Sequence, residues 1–504
     1  MATLLQLLQS GGDDNPAICA PDRQPMSHGG LRQLTQATIE RLNALGIGRN
    51  DRVAIVLPNG PEMAAAFVAI GAGATTAPLN PAYRAEELQF YLSDLGAKAL
   101  VVEEGSTSPA VDVAKQMGVP ILSLRASQND PAGSFTLAGN AIGLAVNSGP
   151  AEADDIALVL HTSGTTSRPK IVPLSQTNVT ASANNISATL NLVPEDLCLN
   201  VMPLFHIHGL IAAVLSSLSA GAAISCTPGF NALKFFQWLR DIRPTWYTAV
   251  PTMHQAILSR AARNQDVLDA LQLKFIRSSS SSLPPQVMAE LEKTFSCPVI
   301  EAYGMTEAAH QMACNPLPPA DRKPGSVGPA AGPEMGIMDN DGNLLAVGAI
   351  GEIVIRGPNV TAGYENNPDA NAEAFAHGWF HTGDQGVMDD KGYFTITGRL
   401  KEIINRGGEK ISPREVDEVL MDHEAVAQVV TFATPHDKLG EEVAAAIVLK
   451  EGAEATDREI RDFASTRLAD FKVPRRILFL DEIPKGATGK LQRIGLAEKL
   501  GLVP

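Results

Sequence analysis

Short apolar runs alternate with helical patterns through the first 300 residues, and this alternation restricts the fold more than any other feature. Buried strands are predicted at residues 53–57, 97–102 and 156–160, separated by segments with helical periodicity. Further strands are predicted at residues 199–202, 245–250, 273–276 and 299–302. Strands separated by helices predict parallel sheets that are covered on both faces. The fold class is therefore α/β.

The sequence pattern changes at about residue 334, where shorter predicted strands with frequent Gly and Asn begin, as at residues 351–356 and 393–398. These predict a β-rich subdomain. The run SPRE at residues 412–415 is a capping box with Pro at the first helical position, and strand-like runs follow at residues 426–432 and 443–449. We therefore predict a large multi-lobed N-terminal domain, residues 1–398, and a small α+β C-terminal domain, residues 399–504.

Composition excludes several classes of protein. The net charge of -15 argues against nonspecific binding to nucleic acid or to an anionic membrane surface. The five cysteines form no C-x-x-C pair, so neither a disulfide framework nor a zinc site is expected. The sequence contains no run of about 18 apolar residues, so a membrane span is not expected. The N-terminal stretch lacks the basic region of a signal peptide. A cytoplasmic enzyme is expected, and its oligomeric state stays open.

The polar loop HTSGTTSRPK, residues 161–170, directly follows an apolar strand. Its hydroxyls, its backbone amides and the cations of Arg168 and Lys170 suit a triphosphate. It is not a Walker loop, because Lys170 is followed by Ile171 instead of Ser or Thr. The alternative reading is a solvated turn between a strand and a helix.

This loop resembles the phosphate loop of the adenylate-forming superfamily, which includes acyl-CoA synthetases, adenylation domains of peptide synthetases and luciferases. Further motifs similar to those of the superfamily follow in its order: MPLFH at 202–206, YGMTE at 303–307, WFHTGD at 379–384, GRLKE at 398–402 and PKGATGK at 484–490. The resemblance covers nearly the whole chain. It implies an AMP-forming acyl-CoA ligase that uses ATP, Mg²⁺ and coenzyme A.

The resemblance also implies roles for individual residues. Glu307 would help to hold Mg²⁺, Thr306 would contact the α-phosphate, and His206 joins them among the catalytic residues. Hard oxygen ligands suit magnesium, and the attack of one anion on another requires charge neutralisation. The implied ATP-binding residues are Thr162, Ser163, Gly164, Thr165, Thr166, Lys170, Glu301, Tyr303, Asp384 and Arg399.

Lys490, in the last motif, is expected to carry the adenylation step by bridging the carboxylate and the α-phosphate. In the family the C-terminal domain is mobile, and it rotates about a hinge that matches Lys401. The implied contacts to coenzyme A are Arg406, Gly407, Gly408 and Lys472, with Arg475 and Arg476 as further candidates for its phosphates.

The acid is expected to lie near His208, the serine run 278–282 with Ser280, and His310. Hydroxyls and imidazoles suit a second carboxylate, whereas a fatty-acid tunnel favours small apolar residues. The stretches LHTSGTTSRPK, MPLFHIHGL, GGEKISPREVD and FKVPRR resemble oxalate–CoA ligases, which implies oxalate as the acid. Other short- or medium-chain acids, including dicarboxylic ones, are the alternatives.

Two positions depart from the usual phosphate loop, since Ser167 and Ile171 stand where many members have glycine. A β-branched residue does not easily adopt positive φ, so either the backbone at Ile171 is ordinary or substrate affinity is altered. Rival functions are an adenylation enzyme that loads a carrier protein, a luciferase-like oxygenase, and a nucleotide-binding regulator without chemistry. The GGEK segment and the retained motif residues favour the ligase.

Overall fold

The computed structural model of this chain describes residues 2–162, 169–484 and 493–503. The chain forms two compact units. Among the described residues, the first contains residues 2–162, 169–335 and 355–380, and the second contains residues 336–354, 381–484 and 493–503. These units divide the chain at other positions than the predicted domain boundary between residues 398 and 399, which stays a prediction.

The strands of the described residues, in chain order, are β1 (Pro16–Cys19), β2 (Met26–Ser27), β3 (Arg52–Val56), β4 (Thr75–Pro78), β5 (Ala99–Glu103), β6 (Ile121–Arg125), β7 (Thr136–Ala138), β8 (Ile156–Thr162), β9 (Lys170–Ser175), β10 (Leu197–Asn200), β11 (Ala223–Cys226), β12 (Trp246–Ala249), β13 (Phe275–Ser278), β14 (Val299–Met305), β15 (His310–Cys314), β16 (Glu334–Met338), β17 (Ile350–Arg356), β18 (Phe380–Met388), β19 (Phe394–Arg399), β20 (Ile404–Arg406), β21 (Glu409–Ile411), β22 (Val426–His436), β23 (Gly440–Leu449) and β24 (Arg476–Phe479).

The α-helices of the same residues are α1 (Leu4–Leu7), α2 (His28–Ala44), α3 (Pro61–Gly71), α4 (Ala85–Leu95), α5 (Pro109–Met117), α6 (Gln176–Thr189), α7 (Ser216–Ser219), α8 (Phe235–Ile242), α9 (Pro251–Ala261), α10 (Gln265–Ala270), α11 (Pro285–Phe295), α12 (Pro368–Ala374), α13 (Pro413–Met421), α14 (Asp457–Ser465) and α15 (Leu496–Lys499). A π-helical segment spans His208–Leu215, and 3₁₀ turns include Thr306–Ala308 and Leu400–Glu402. None of the helices in the described part of the chain could cross a membrane.

Two large sheets form the first unit. One has the strand order β15-β14-β13-β12-β10-β11-β1-β2, and the other has the order β7-β6-β5-β3-β4-β8-β9. Their central strands pair in parallel, and the antiparallel pairs include β14–β15 and β8–β9. The predicted parallel sheets are therefore confirmed. Because such strands are buried on both faces, their residues read as continuous apolar runs, as at Val53, Ile55 and Val101.

Helix α6 connects the two sheets. The Ser175 hydroxyl accepts a hydrogen bond from the amide of Asn178, and the Asn178 side chain accepts one from the amide of Ser175, so the helix begins directly after β9. Its body packs against β8 and β9 of one sheet and β15 of the other. The 3₁₀ turn Thr306–Ala308 also packs against β9. The ends of β9 and β15 are thereby held in one part of the first unit.

The second unit contains a sheet of order β16-β17-β18-β19 and a five-stranded sheet in which β21-β20-β23-β22 are neighbours and β24 pairs with β23. Helices α13 and α14 cover one face of the larger sheet around a core that includes Val416, Val443 and Ile460. The predicted helix start is present, because the Ser412 side chain accepts a bond from the amide of Glu415 and Pro413 is the first helical residue. The predicted β-rich subdomain and α+β architecture are confirmed.

Candidate active site

The predicted phosphate loop connects two antiparallel strands. Thr162 at the end of β8 lies opposite Lys170 at the start of β9. The predicted ligands Ser163, Gly164, Thr165 and Thr166 lie outside the described residues. Ile171 pairs with His161 inside β9, a strand conformation that suits a β-branched residue. The backbone at this departure from the usual motif is therefore ordinary.

Glu307 is a buried carboxylate held by a tyrosine. The hydroxyl of Tyr364 donates to Glu307 Oε1 at 2.9 Å. The ammonium of Lys170 lies over the Tyr364 ring, 4.2 Å from its centroid. The backbone amide of Thr361 donates to the carbonyl of Glu307 at 2.7 Å. Lys170 of the phosphate hairpin and Glu307 of the YGMTE motif thus both contact Tyr364, one over its ring and the other at its hydroxyl.

Burial and the nearby Glu307 raise the pKa of Tyr364 above its usual value. Tyr364 therefore stays protonated, and it acts as a donor to the carboxylate. Glu307 fits the expected magnesium, which takes one or two protein carboxylates and completes its shell with water and phosphate oxygens. No group of three or more His, Cys, Asp or Glu side chains that could hold a metal ion is present among the described residues.

The three predicted acid-binding residues converge, although they come from distant parts of the sequence. His208 begins the π-helical segment, Ser280 follows β13, and His310 begins β15. The His208 Nδ1 atom lies 3.0 Å from the Ser280 hydroxyl, and the two imidazole rings meet edge to face with centroids 5.1 Å apart. Thr248 completes the cluster, with its hydroxyl 2.6 Å from His208 Nε2. We call His208, Ser280, His310 and Thr248 the polar cluster.

Two members of the polar cluster have strained backbone conformations. Ser280 has φ 74° and His310 has φ 101°, in the region that L-residues rarely adopt. Such strain persists only where the surrounding structure imposes it, and it collects at functional sites. One constraint is visible, because a Cβ atom on Gly304 would lie 1.9 Å from the carbonyl oxygen of His310. The glycine of YGMTE therefore permits the close approach of β15.

Other predicted residues of the first unit lie near members of the polar cluster in the sequence. His206 Nδ1 accepts a bond from the backbone amide of His208 at 3.4 Å. Glu301 is buried on β14, where its Oε1 accepts from the amide of Leu283 after the serine run. Tyr303 is buried on the same strand, and Thr306 opens the 3₁₀ turn that carries Glu307.

In the second unit, Asp384 and Arg399 form an ion pair. They face each other across β18 and β19, and Arg399 Nε donates to Asp384 Oδ1 at 3.0 Å. The backbone amide of Asp384 donates to the Thr382 hydroxyl at 3.1 Å, and Gly383 has φ 74°. The WFHTGD and GRLKE motifs therefore meet, and the carboxylate at the predicted ribose position has a fixed orientation.

Arg406 and Lys472, two of the residues predicted to contact coenzyme A, already have charged partners. Arg406 binds Glu442 through two bonds, of 2.5 and 3.1 Å, and the ammonium of Lys472 lies 2.6 Å from Glu415 Oε1. Gly407 and Gly408 both have positive φ and form the two-residue turn of the β20–β21 hairpin. Lys401 lies in the 3₁₀ turn Leu400–Glu402, whereas Lys490 lies outside the described residues.

Several supporting residues could not be named from the sequence. Tyr364 and Thr248 fix Glu307 and His208, and the amide of Asn359 donates to the carbonyls of Ala308 and Gln311 on either side of His310. His161, at the start of the phosphate hairpin, pairs with Asp94 at 3.0 Å; burial lowers its pKa and Asp94 opposes that shift. A polar residue beside a motif could have indicated that a buried partner is needed. The sequence could not show which residue that partner is, because the partners lie far away along the chain.

Comparison with known proteins agrees with this geometry. The model of the AMP-binding enzyme family matches residues 9–365, and that of the AMP-binding enzyme C-terminal domain matches residues 415–490. The chain therefore belongs to the AMP-binding enzyme family. The predicted reaction class is confirmed: an AMP-forming acid–CoA ligase that acts through an acyl-adenylate and uses ATP, Mg²⁺ and CoA.

Two relatives and one solved structure illustrate the similarity. The oxalate–CoA ligase of Arabidopsis thaliana is 46% identical over 500 residues, which cover 96% of this chain and 97% of that protein. The oxalate–CoA ligase of Saccharomyces cerevisiae is 42% identical, over 89% and 87% of the two chains. The ATP-bound crystal structure of MatB from Rhodopseudomonas palustris has a TM-score of 0.88 at 29% identity, and it covers 99% of this chain and 98% of that one.

Proposed function

We propose that this protein is an oxalate–CoA ligase, which converts oxalate, ATP and CoA into oxalyl-CoA, AMP and pyrophosphate. The observation that carries this proposal is the polar cluster. His208, Ser280 and His310 bring two imidazoles and a hydroxyl together where the acid is expected, at distances of 3.0 to 5.1 Å. A small dianion needs polar groups of this kind once it leaves water, whereas a fatty tail forms no hydrogen bonds with them. The names of the two oxalate–CoA ligase relatives point the same way.

In the proposed first step, one oxalate oxygen attacks the α-phosphorus of ATP and the bond to pyrophosphate breaks. Lys490 balances the charge of the approaching anions, and the polar cluster orients the carboxylate that does not react. Glu307 would hold Mg²⁺, which neutralises phosphate charge when it is bound. Thr162, Thr306 and Lys170 would hold the phosphates, Tyr303 the adenine, and Asp384 with Arg399 the ribose.

In the proposed second step, the CoA sulfur attacks the acyl carbon of the adenylate, the thiol proton leaves, and AMP departs. Rotation about Lys401 would replace the Lys490 segment with the hairpin of Arg406, Gly407 and Gly408. Because Arg406 and Lys472 are bound to carboxylates, they would have to exchange those partners or share them with CoA. A cytoplasmic location remains part of this proposal, and imaging of a fluorescent fusion would test it.

Pyrophosphate release with ATP, Mg²⁺ and CoA tests the substrate across oxalate, malonate, succinate, acetate and hexanoate. Mass spectrometry of the thioester product identifies the acid that was transferred. We expect the highest kcat/KM with oxalate. A higher value with a monocarboxylic acid would overturn the choice of acid, but it would leave the reaction class intact.

A further inference from the structure

The second unit contains a buried three-residue charge cluster next to the sequence that carries Lys490. Arg493 lies between two carboxylates: its Nη2 binds Asp417 Oδ2, and its Nη1 lies 3.6 Å from Glu402 Oε2. The three side chains are only 13 to 23% exposed. Burial alone would lower the pKa of Arg493, but the two carboxylates outweigh that effect and raise it. The guanidinium is therefore a fixed charge.

The cluster connects three separate segments. Asp417 is on α13 and also accepts a 2.6 Å bond from the backbone amide of Thr431 on β22. Glu402 ends the 3₁₀ turn that contains Lys401. Arg493 is three residues after Lys490 in the sequence. The Arg493 guanidinium thus joins Asp417, in the core of the unit, to Glu402, the first residue after the predicted pivot Lys401. Arg493 itself lies just after the segment that carries Lys490.

Apolar packing holds both ends of that sequence. Ile483 before it and Leu496 after it belong to one buried group with Val430 and Phe432 of β22. Apolar contacts resist separation, but they have little directionality, whereas a guanidinium between two carboxylates fixes direction and register. The charge cluster therefore adds an orientation that the apolar group does not supply.

We propose that Arg493 is a positioning residue for adenylation, which sets the end of the Lys490 sequence against the pivot turn and helix α13 through Glu402 and Asp417. This inference rests on the proposed role of Lys490. The thioester-forming step does not need the lysine, so it does not need this alignment. Substitution of Asp417 should therefore slow adenylation more than it slows thioester formation.

The test uses the full-length enzyme carrying Asp417→Asn, with Glu418→Gln as the matched control. Glu418 is the next residue of the same helix and also pairs with an arginine, Arg414, so the control loses an equal charge from a pair whose carboxylate is exposed. Adenylation is measured by exchange of labelled pyrophosphate into ATP, and transfer is measured by thioester formation from synthetic acyl-adenylate. Thermal unfolding of each variant reports folding.

We expect Asp417→Asn to lower the ratio of adenylation to transfer at least tenfold and Glu418→Gln to leave it unchanged. A ratio equal to that of the wild type would overturn the inference, because a purely structural role lowers both steps alike. If Asp417→Asn does not fold, Glu402→Gln decides by the same ratio. Lys490→Ala is measured in parallel. If this variant keeps its adenylation activity, the proposed role of the lysine is wrong. If it loses that activity while the ratio for Asp417→Asn is unchanged, only the positioning role of Arg493 is rejected.

Discussion

The two units hold the polar groups of their candidate sites in different ways. In the first unit the described contacts come from neutral hydroxyl groups: Tyr364 donates to Glu307, and Thr248 and Ser280 flank His208. In the second unit the carboxylates described above are held by cations, as in Asp384 with Arg399, Glu442 with Arg406 and Glu415 with Lys472. Neutral partners orient a group without cancelling its charge.

This difference suits the proposed division of labour. A site for a dianion and a metal-bound triphosphate must keep its capacity for charge until the substrates arrive. The part of the second unit that follows the proposed pivot, Lys401, would rotate as one piece and would need its segments locked, and paired charges with defined geometry can do this. The first unit would then supply the binding surface, and the second would supply an aligned cation at the right moment. Four predictions test this comparison.

The largest effect is expected from Lys490→Ala. Removing a positioned group that stabilises charge in the transition state typically costs about 10²- to 10³-fold in rate, so adenylation should fall by that factor. Transfer from supplied acyl-adenylate should change much less, because the lysine would act in the first step only. Pyrophosphate exchange and thioester formation measure the two steps, and Lys499→Ala serves as the control. An equal loss in both steps would contradict the assignment of the cation to adenylation alone.

The polar cluster gives the next largest effect. A hydrogen bond to a charged group contributes roughly 1.5–3 kcal/mol, so Ser280→Ala and His310→Ala should each raise the KM for oxalate by about 10- to 100-fold. The KM for ATP should stay nearly constant, and discrimination against monocarboxylic acids should weaken. Steady-state kinetics with oxalate and hexanoate, with ATP varied separately, measure these changes.

Ser281→Ala is the matched control for Ser280, since it is the adjacent, exposed serine, and its hydroxyl donates to the carbonyl of Ser280. It should leave the KM for oxalate unchanged. A loss of similar size for every acid, or a rise in the KM for ATP, would make the cluster a structural support of the nucleotide site.

A smaller effect is expected from Tyr364→Phe. The substitution keeps the ring beneath Lys170 and removes only the donor to Glu307. Losing one hydrogen bond to a carboxylate should lower kcat/KM for adenylation about tenfold and raise the Mg²⁺ concentration needed for half-maximal rate. Titration of Mg²⁺ at fixed ATP measures this shift. An unchanged Mg²⁺ requirement would mean that the tyrosine does not position the carboxylate.

The sequence predicted those features whose signals are local. Apolar runs marked the parallel strands because both of their faces are buried, and the strand predicted at residues 53–57 is β3, Arg52–Val56. His208, Ser280 and His310 could be named because each stands in or beside a motif. The contacts among them are a finding of the structure, because the three residues come from different elements and His208 and His310 are more than 100 residues apart.

Other features depend on packing between distant segments and gave no signal of comparable strength. Tyr364 is 57 positions from Glu307, and Arg493 is 76 positions from Asp417. The positive φ of Ser280 and His310 also arises from the surrounding structure, since neither residue favours it. The long helix α2, at 17 residues, has polar residues among its buried positions, such as Thr35 and Thr38, and its apolar periodicity is correspondingly weak.

The smallest effect concerns another neutral pair of the first unit, His254 with Tyr247. His254 is fully buried on α9, its Nδ1 lies 3.3 Å from the Tyr247 hydroxyl, and burial lowers its pKa to about 3. An unfolded histidine has a pKa near 6.5, so between these values the unfolded chain binds a proton that the folded chain does not. Stability therefore falls as the pH drops below about 6.5, and the loss continues towards pH 3.

Replacing His254 with Asn removes this titration. The variant should be less stable than the wild type at pH 7, but the gap should narrow by about 1 kcal/mol between pH 6.5 and 5.5. Urea unfolding followed by tryptophan fluorescence reports the first unit, since all three tryptophans, Trp238, Trp246 and Trp379, belong to it. If the gap does not change with pH, the buried pair is not a neutral one, and the contrast between the units does not extend beyond their sites.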